Sequence, residues 1–330
     1  MRTIAKWIAT LSLALPAAAA HAQTTWTMAS GYPENSFFTQ NIRQFISEVE
    51  KESGGRLKID LRPNDTLIKH DAIKRAVQTG QIQAGEVRLG VHGNEDPVYA
   101  LDGLPNIAGN YDEAWMLMQA QQPYLEKILG RHNMRAIAFV AWPGQGLYTK
   151  TPLASPEDFK GKRLRIYSQP TLKMGQMLGF QATILPFAEV PQAFATGLID
   201  SLFTSAQTGI DTQAWDNVKY FMYTGTLHNK NMLVVNERAL KRLDDDLQKI
   251  VLEAGERASK RGFEMSRKAS DDTIATLRQH GMEVSEAPES ILKKFSEVGQ
   301  AMIEDWRKTA NPEQQKVLDT YLEMKQKAGG

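Results

Sequence analysis

The 330-residue sequence predicts an α/β protein built as two lobes joined by a hinge. Three observations support this prediction. Short apolar strands alternate with amphipathic helices, which favours an α/β architecture with mainly parallel strands. The loop 142–146 (WPGQG) has the Gly and Pro content of a linker between domains. A helical pattern of about 35 residues begins near Asp244 and is long enough to span both lobes.

The elements before the linker predict a first lobe of strands and helices. Apolar residues at spacings of 3 and 4 indicate the helices, whereas alternation of apolar and polar residues indicates the strands. In chain order these elements are strand 26–29, helix 38–49, strand 57–61, helix 71–78, strand 84–89, helix 112–129 and strand 134–141.

A second series of elements follows the linker. It comprises strands 163–167, 181–185 and 201–205 and helices 171–178 and 188–196. Residues 232–236 then form an apolar strand pattern that has no partner nearby in sequence, and the remainder is largely helical.

A chain that crosses between the lobes more than once explains the isolated strand 232–236. We therefore assign residues 23–143 and 231–272 to lobe I, and residues 144–230 and 273–330 to lobe II. Such crossings form a hinge, and a ligand is then expected in the cleft between the lobes.

The N-terminus has the pattern of an export signal. Arg2 and Lys6 precede an apolar stretch, and Ala20-His21-Ala22 fits a cleavage site, so residues 1–22 are predicted to be a signal peptide. Removal of this segment changes the formal net charge from +1 to −1, because it contains two basic residues and no acidic one. The chain has no cysteine, which suits an oxidising compartment and excludes disulfides and thiol chemistry.

Composition and motifs argue against several classes of function. The near balance of 39 basic and 38 acidic residues does not indicate a nucleic-acid surface. The five histidines after residue 22 are scattered, and H-E-x-x-H, G-x-S-x-G and the glycine-rich phosphate loops are absent from the sequence. We therefore expect no catalytic residue, no metal and no cofactor.

The candidate ligand contacts are large aromatic, amide and charged residues at strand ends and in loops. Small ligands bind at such positions on a rigid scaffold, although a single aromatic residue there also fits a place in the core. The candidates are Tyr32, Glu86, Arg88, Trp142, Gln145, Arg165, Tyr167, Phe187 and Trp215.

Two of the charged candidates need a partner. Arg165 lies in an apolar strand (RLRIY) and needs either water or an anionic partner, which is a ligand carboxylate or an acidic residue in a salt bridge. Glu86 either accepts hydrogen bonds from ligand hydroxyls or pairs with Arg88. The pattern alone leaves both alternatives open for each residue.

Five segments are similar to one known family. They are 45–56 (FISEVEKESGGR), 101–114 (LDGLPNIAGNYDEA), 155–166 (SPEDFKGKRLRI), 186–200 (PFAEVPQAFATGLID) and 232–239 (MLVVNERA). Through them nearly the whole mature chain resembles the DctP-type extracytoplasmic solute receptors of tripartite ATP-independent periplasmic (TRAP) transporters. The resemblance implies a two-lobe periplasmic binding protein fold with a hinge and a long lobe-spanning helix.

The resemblance also implies how the protein works. A periplasmic receptor of this kind closes on a small carboxylate ligand and delivers it to membrane permease subunits driven by an ion gradient. We expect a monomer that acts without nucleic acid. Two alternatives stay open: a periplasmic enzyme acting on a small carboxylic acid, and a binding protein that serves a sensor or an ABC importer.

In the family, an arginine at the position of Arg165 binds the ligand carboxylate. Many members have a second arginine where this chain has Gly146, and an amide where it has Thr204. These departures imply a less polar pocket, in which Trp142, Phe187 and Phe203 accommodate an aromatic or branched carboxylate.

Overall fold

A computed structural model describes residues 23–329, so the predicted signal peptide lies outside the described residues. Within this range the chain forms eleven strands and ten α-helices. The strands are β1 (Thr24–Ala29), β2 (Leu57–Arg62), β3 (Ala84–Arg88), β4 (Met134–Ala141), β5 (Gln145–Thr149), β6 (Arg163–Ile166), β7 (Gln181–Ile184), β8 (Ser201–Ser205), β9 (Tyr220–Tyr223), β10 (Lys230–Asn236) and β11 (Glu283–Glu286). The helices are α1 (Phe37–Glu52), α2 (His70–Thr79), α3 (Tyr111–Arg131), α4 (Gln169–Leu178), α5 (Val190–Ala195), α6 (Ala206–Asp211), α7 (Glu237–Lys241), α8 (Asp245–Gln279), α9 (Glu289–Thr309) and α10 (Pro312–Gly329).

The strands form two separate sheets. The first has the order β2-β1-β3-β10-β4, and the second has the order β11-β9-β5-β8-β6-β7. This arrangement confirms the predicted two-lobe α/β architecture. It also supplies the missing partners of strand 232–236, because β10 lies between β3 and β4 of the first sheet.

Both sheets are mixed, so the expectation of mainly parallel strands is wrong for the strands at the crossings. β10 runs antiparallel to β3 and β4, and β5 runs antiparallel to β8 and β9. The chain leaves the first sheet at the end of β4 and enters the second with β5, then returns from β9 into β10. A strand that begins at the end of the sheet where its neighbouring strands finish must run antiparallel to them.

The predicted linker is shorter than its sequence pattern indicates. Gln145 and Gly146 already belong to β5, which leaves Trp142–Gly144 as the connection between the sheets. The sequence interpretation also missed β9 and β11. β11 is a mostly exposed edge strand whose four residues are largely polar, so it lacks the apolar signal of a buried strand.

The helix α8 is 35 residues long and contacts both halves of the molecule, as predicted. Its first half packs on α1 and β4, where Asn41 donates a hydrogen bond of 2.9 Å to the Ala258 carbonyl. Its last turns pack on α6 and β11, where Leu277 is buried with Phe221. None of the helices in residues 23–329 is both long and apolar enough to cross a membrane.

The two C-terminal helices connect the halves of the molecule. In α9, Phe295 stacks on Phe203 of β8 with 5.8 Å between the ring centroids. α10 packs on α3, where Lys325 and Glu113 form an ion pair of 2.9 Å. Residues 312–329 therefore lie beside an element assigned to lobe I, whereas the division made on sequence groups residues 273–330 with lobe II. The lobe boundaries stay a prediction.

Candidate ligand-binding site

A small cavity lies where the strand ends of the two sheets face each other. Its free volume is about 40 Å³, which is room for a few waters or one compact molecule. The lining residues come from strands of both sheets, from the segments that follow these strands, and from the two crossings between the sheets, β4 to β5 and β9 to β10. They are Tyr32, Arg88, Gly90, Val91, Trp142, Gln145, Arg165, Tyr167, Phe187, Thr204, Thr208, Asn229, Lys230 and Asn231.

Most of the sequence-predicted site residues meet at this cavity. The ones that line it are Tyr32, Trp142, Gln145, Arg165, Tyr167, Phe187 and Thr204, together with Arg88 from the wider set of candidates. Glu86, Phe203 and Trp215 are not among the lining residues. Residues from distant parts of the chain therefore converge because the strands of both sheets end here.

Phe203 and Trp215 lie away from the cavity for different reasons. Phe203 precedes Thr204 on β8, and neighbouring residues of a strand point to opposite faces. Thr204 consequently faces the cavity, and Phe203 is buried against Phe295 in the core. Trp215 stacks on His280 beyond the C-terminus of α8, with 3.9 Å between the ring centroids, in a separate surface pocket.

Arg165 is a buried cation at the end of β6. Only 2 % of its surface is exposed, and its Nε donates a hydrogen bond of 3.1 Å to the Leu185 carbonyl. Its guanidinium forms no ion pair with a carboxylate in the described part of the chain and lies 5.5 Å from the centroid of the Tyr167 ring. Burial lowers the pKa of Arg165 to about 10, so the side chain remains charged at neutral pH. The salt-bridge alternative is therefore not observed.

Arg88 is the second arginine at the cavity. It forms an ion pair with Asp71 at the start of α2, and its Nε is buried without a hydrogen-bond partner among residues 23–329. The nearby charge of Arg88 contributes to the lowered pKa of Arg165. Arg165 therefore raises the electrostatic potential of the cavity, which favours an anionic ligand, whereas Asp71 offsets the charge of Arg88.

Lys230 and Asp102 form a fully buried pair beside the cavity. Their charged atoms lie 3.6 Å apart, and the backbone N–H of Lys230 donates a hydrogen bond of 2.7 Å to the Asp102 carboxylate. Burial lowers the pKa of Lys230 and raises the pKa of Asp102. Whether the proton lies on one group or the other, the pair adds no net charge to the site.

An aromatic wall forms the side of the cavity nearest the first sheet. The Tyr32 ring makes edge contacts with Trp142 and Phe187, with centroid distances of 5.1 Å and 5.8 Å, and stacks on Phe38 at 5.3 Å. Tyr32 and Trp142 belong to the segments after β1 and β4, whereas Phe187 follows β7 of the second sheet. The wall therefore includes residues from both lobes and presents apolar surface to a ligand.

Glu86 lies behind this wall and has no exposed surface. It accepts hydrogen bonds from the Ser30 hydroxyl and from the Asn231 amide, the latter at 2.9 Å. The Asn231 oxygen in turn accepts a hydrogen bond of 2.9 Å from the Trp142 indole N–H. Glu86 therefore orients residues that line the cavity but does not line it itself, and the predicted pairing with Arg88 is not observed, since Arg88 pairs with Asp71 instead.

Gly146 lies where no side chain can be accommodated. A Cβ atom at this position would lie 2.5 Å from the Phe221 ring and 2.6 Å from the Met222 carbonyl oxygen. An arginine here would therefore require β5 and β9 to separate. The packing of β5 against β9 is therefore incompatible with the second arginine that many family members have at this position.

Several lining residues were missed by sequence reasoning, chiefly Thr208, Asn229, Lys230 and Asn231. The apolar pattern predicts that the strand begins at Met232, but β10 begins at Lys230. Three consecutive polar residues directly before an apolar strand are the signal that could have found them. Within residues 23–329 no group of three or more His, Asp or Glu side chains is arranged to hold a metal ion.

The two mixed sheets, the crossing strands and the cavity between them define a two-lobe solute-binding protein. The chain belongs to the bacterial extracellular solute-binding proteins of family 7, the DctP family, whose model matches residues 28–310. The resemblance to the DctP-type receptors of TRAP transporters is thereby confirmed.

Solved structures of related receptors superpose over almost the whole chain. The chain is 38 % identical to DctP6 and to DctP7, two Bordetella pertussis extracytoplasmic solute receptors that bind pyroglutamic acid. The match to DctP6 covers 91 % of this chain and 100 % of that one with a TM-score of 0.89, and the match to DctP7 covers 90 % and 99 % with 0.88. A marine metagenome TRAP solute-binding protein specific for pyroglutamate is 28 % identical, with a TM-score of 0.88 over 92 % of this chain and 99 % of that one.

Proposed function

We propose that this protein is a periplasmic receptor that captures a small organic acid anion and delivers it to a TRAP permease. The observation that supports this most directly is the buried guanidinium of Arg165, which lines the cavity without a carboxylate partner among the described residues. A ligand carboxylate can accept two charge-assisted hydrogen bonds from it. Thr204 of β8, Thr208 of α6 and Gln145 of β5 supply further polar contacts.

The ligand is a compact carboxylic acid, and pyroglutamate is the first candidate. Relatives at 38 % identity bind pyroglutamic acid, and the cavity has room for one small molecule. In this proposal Arg165 holds the carboxylate, while Tyr32, Trp142 and Phe187 pack against the apolar part of the ligand. The aromatic wall also suits the aromatic or branched acid expected from the sequence.

The experiment is calorimetric titration of pyroglutamate and other small carboxylic acids into the wild type and two variants. Arg165→Gln should weaken binding at least about 100-fold, because two charge-assisted hydrogen bonds are lost. Arg163→Gln is the matched control, since Arg163 lies on the same strand, is half exposed and pairs with Asp200 at 3.0 Å. Equal affinities for wild type and Arg165→Gln would contradict the role of Arg165, and equal losses in both variants would indicate damage to the strand.

We propose further that the ligand leaves the protein unchanged, as the family of solute-binding proteins indicates. Prolonged incubation with the bound acid, followed by mass spectrometry of the ligand, tests this. Recovery of intact acid supports a receptor, whereas a product would favour a periplasmic enzyme.

Mass spectrometry of the exported protein should give a mature N-terminus at Gln23, and size exclusion should give a monomer.

A further inference from the structure

Arg88 separates the ligand cavity from a second, outer cavity. The residues that line the outer cavity include Asp65, Lys69, Asp71, Arg88, Phe187 and Glu189. Arg88 and Phe187 line both spaces, but Asp71 lines only the outer one. The carboxylate that neutralises Arg88 therefore lies outside the space proposed for the ligand.

The charges around the ligand cavity leave one positive charge without a partner. Arg88 is paired with Asp71, and the Lys230–Asp102 pair is neutral as a unit. Of the three cations that line the ligand cavity, Arg165 is the one without a carboxylate partner in residues 23–329. The remaining titratable side chains are Tyr32 and Tyr167, which line the cavity, and Glu86 behind the aromatic wall, and none of them adds a positive charge in either protonation state.

We infer that Asp71 is a specificity-determining residue that limits this receptor to monoanionic acids, because it neutralises Arg88 from outside the ligand cavity. The inference rests on the proposed function, in which Arg165 holds one carboxylate. A second carboxylate on the ligand would have to lie in the cavity with no uncompensated cation left to receive it. Burying an unpaired charge is unfavourable, so a dianion is rejected.

The Asp71–Arg88 pair is well placed for this role. The Arg88 side chain is only 12 % exposed, whereas that of Asp71 is 58 % exposed. Asp71 lies on α2 and Arg88 on β3, and α2 packs on β3, so their pairing does not depend on how the two lobes approach each other. The Nε of Arg88 is buried without a hydrogen-bond partner among residues 23–329, so a second carboxylate can accept from it once the charge of Asp71 is removed.

The other charged groups of the outer cavity do not replace Asp71. Asp65 accepts a hydrogen bond of 2.9 Å from the backbone N–H of His70. Glu189 belongs to the second sheet's side of the outer cavity and forms no ion pair with Arg88 in the described part of the chain. Glu189→Gln therefore removes the same charge from the same cavity and leaves Arg88 paired, which makes it the matched control.

The test compares two acids of nearly the same shape that differ in charge, because an amide in one replaces a carboxylate in the other. Glutarate is a dianion, and its monoamide glutaramate is a monoanion of nearly the same shape. Calorimetry gives the ratio of their dissociation constants for wild type, Asp71→Asn, Glu189→Gln and the double variant Asp71→Asn/Arg88→Gln, with pyroglutamate as the reference ligand. Thermal unfolding checks that each variant is folded.

Wild type and Glu189→Gln should prefer glutaramate. In Asp71→Asn the ratio should shift toward glutarate by at least about ten-fold, because the freed Arg88 gains a charge-assisted hydrogen bond to the second carboxylate. The double variant should return the ratio to that of wild type, which a purely structural effect of position 71 would not do.

The outcomes distinguish this inference from the proposed function. If wild type binds glutarate as tightly as glutaramate, or Asp71→Asn leaves the ratio unchanged while pyroglutamate still binds, the inference is overturned and the receptor function stands. Failure of Asp71→Asn to bind either test acid, with pyroglutamate still bound, also overturns the inference. If no carboxylic acid binds wild type or any variant, the proposed function fails, and the inference with it.

Discussion

The Tyr167 hydroxyl donates a hydrogen bond of 2.7 Å to the side-chain oxygen of Asn229. Tyr167 follows β6, the strand of the second sheet that contains Arg165, whereas Asn229 directly precedes β10 of the first sheet. The Asn229 amide donates to the Asp102 carbonyl at 3.2 Å, and its backbone carbonyl accepts from the Trp142 N–H at 2.7 Å. The bond therefore connects the proposed carboxylate anchor to the crossing segments of the hinge.

Replacing Tyr167 with Phe should weaken ligand binding without unfolding the protein. The ring that lies beside Arg165 is kept, but the bond to Asn229 is lost, and this bond helps hold the two lobes together. A net value of about 1 kcal/mol for such a bond corresponds to a roughly five-fold rise in the dissociation constant for the bound acid. Isothermal calorimetry measures this change.

Tyr220→Phe is the control for the loss of a tyrosine hydroxyl in the second sheet. Tyr220 begins β9 and is not among the residues that line the cavity. Its replacement should leave the dissociation constant unchanged. An unchanged dissociation constant in Tyr167→Phe as well would mean that the bond to Asn229 does not favour the ligand-bound form.

The sequence predicts the fold well where apolar periodicity is strong and poorly where the chain crosses between sheets. β6 and β8 have the apolar pattern of buried strands, and α8 follows an uninterrupted helical pattern. β5 begins with Gln145 and Gly146, residues typical of a loop, and becomes a strand because it pairs with β8 and β9 from distant parts of the chain. Such pairing is a tertiary effect that local propensity does not contain.

The sequence predicts site residues at strand ends, but it does not show which of two adjacent strand residues faces the cavity or which distant residues pair with each other. Arg165 was identified because a cation in an apolar strand needs a partner. Phe203 and Thr204 were both proposed as contacts, although strand alternation allows only one of two adjacent residues to face the cavity. The role of Asp71 depends on its approach to Arg88, 17 positions away in sequence, which no local pattern encodes.

The close packing around Gly146 predicts that even a methyl group there is unfavourable. Gly146→Ala would place its Cβ against the Phe221 ring and the Met222 backbone, and such overpacking lowers the free energy of unfolding by about 1–3 kcal/mol. Denaturant unfolding measures the change. Gly130→Ala is the control, because a Cβ at Gly130 meets no atom within 4 Å and alanine favours the helix α3. Equal stability of Gly146→Ala and wild type would show that β9 can move far enough to accommodate the added methyl group.

Glu86 gives the protein a pH-dependent stability. Burial raises the pKa of Glu86 to about 7 against an ordinary value of 4.5, although the bonds from Ser30 and Asn231 and the nearby charge of Arg88 oppose the rise. Between these two pH values the folded chain retains a proton that the unfolded chain has released. The contribution of Glu86 to the free energy of unfolding therefore falls as the pH rises from 4.5 to about 7, and is constant above that.

Glu86→Gln should remove this dependence. Gln can donate to the Ser30 oxygen and accept from Asn231, so the contacts are kept while the titration is lost. The stability of the variant relative to wild type should rise by about 3 kcal/mol between pH 4.5 and 7, at about 1.4 kcal/mol per pH unit. Asp211, whose pKa is also raised by burial to about 7, and His228, whose pKa is lowered by burial to about 4, titrate in both proteins and cancel in the difference. Urea unfolding of both proteins across this range measures it, and parallel curves would mean that Glu86 is already ionised throughout.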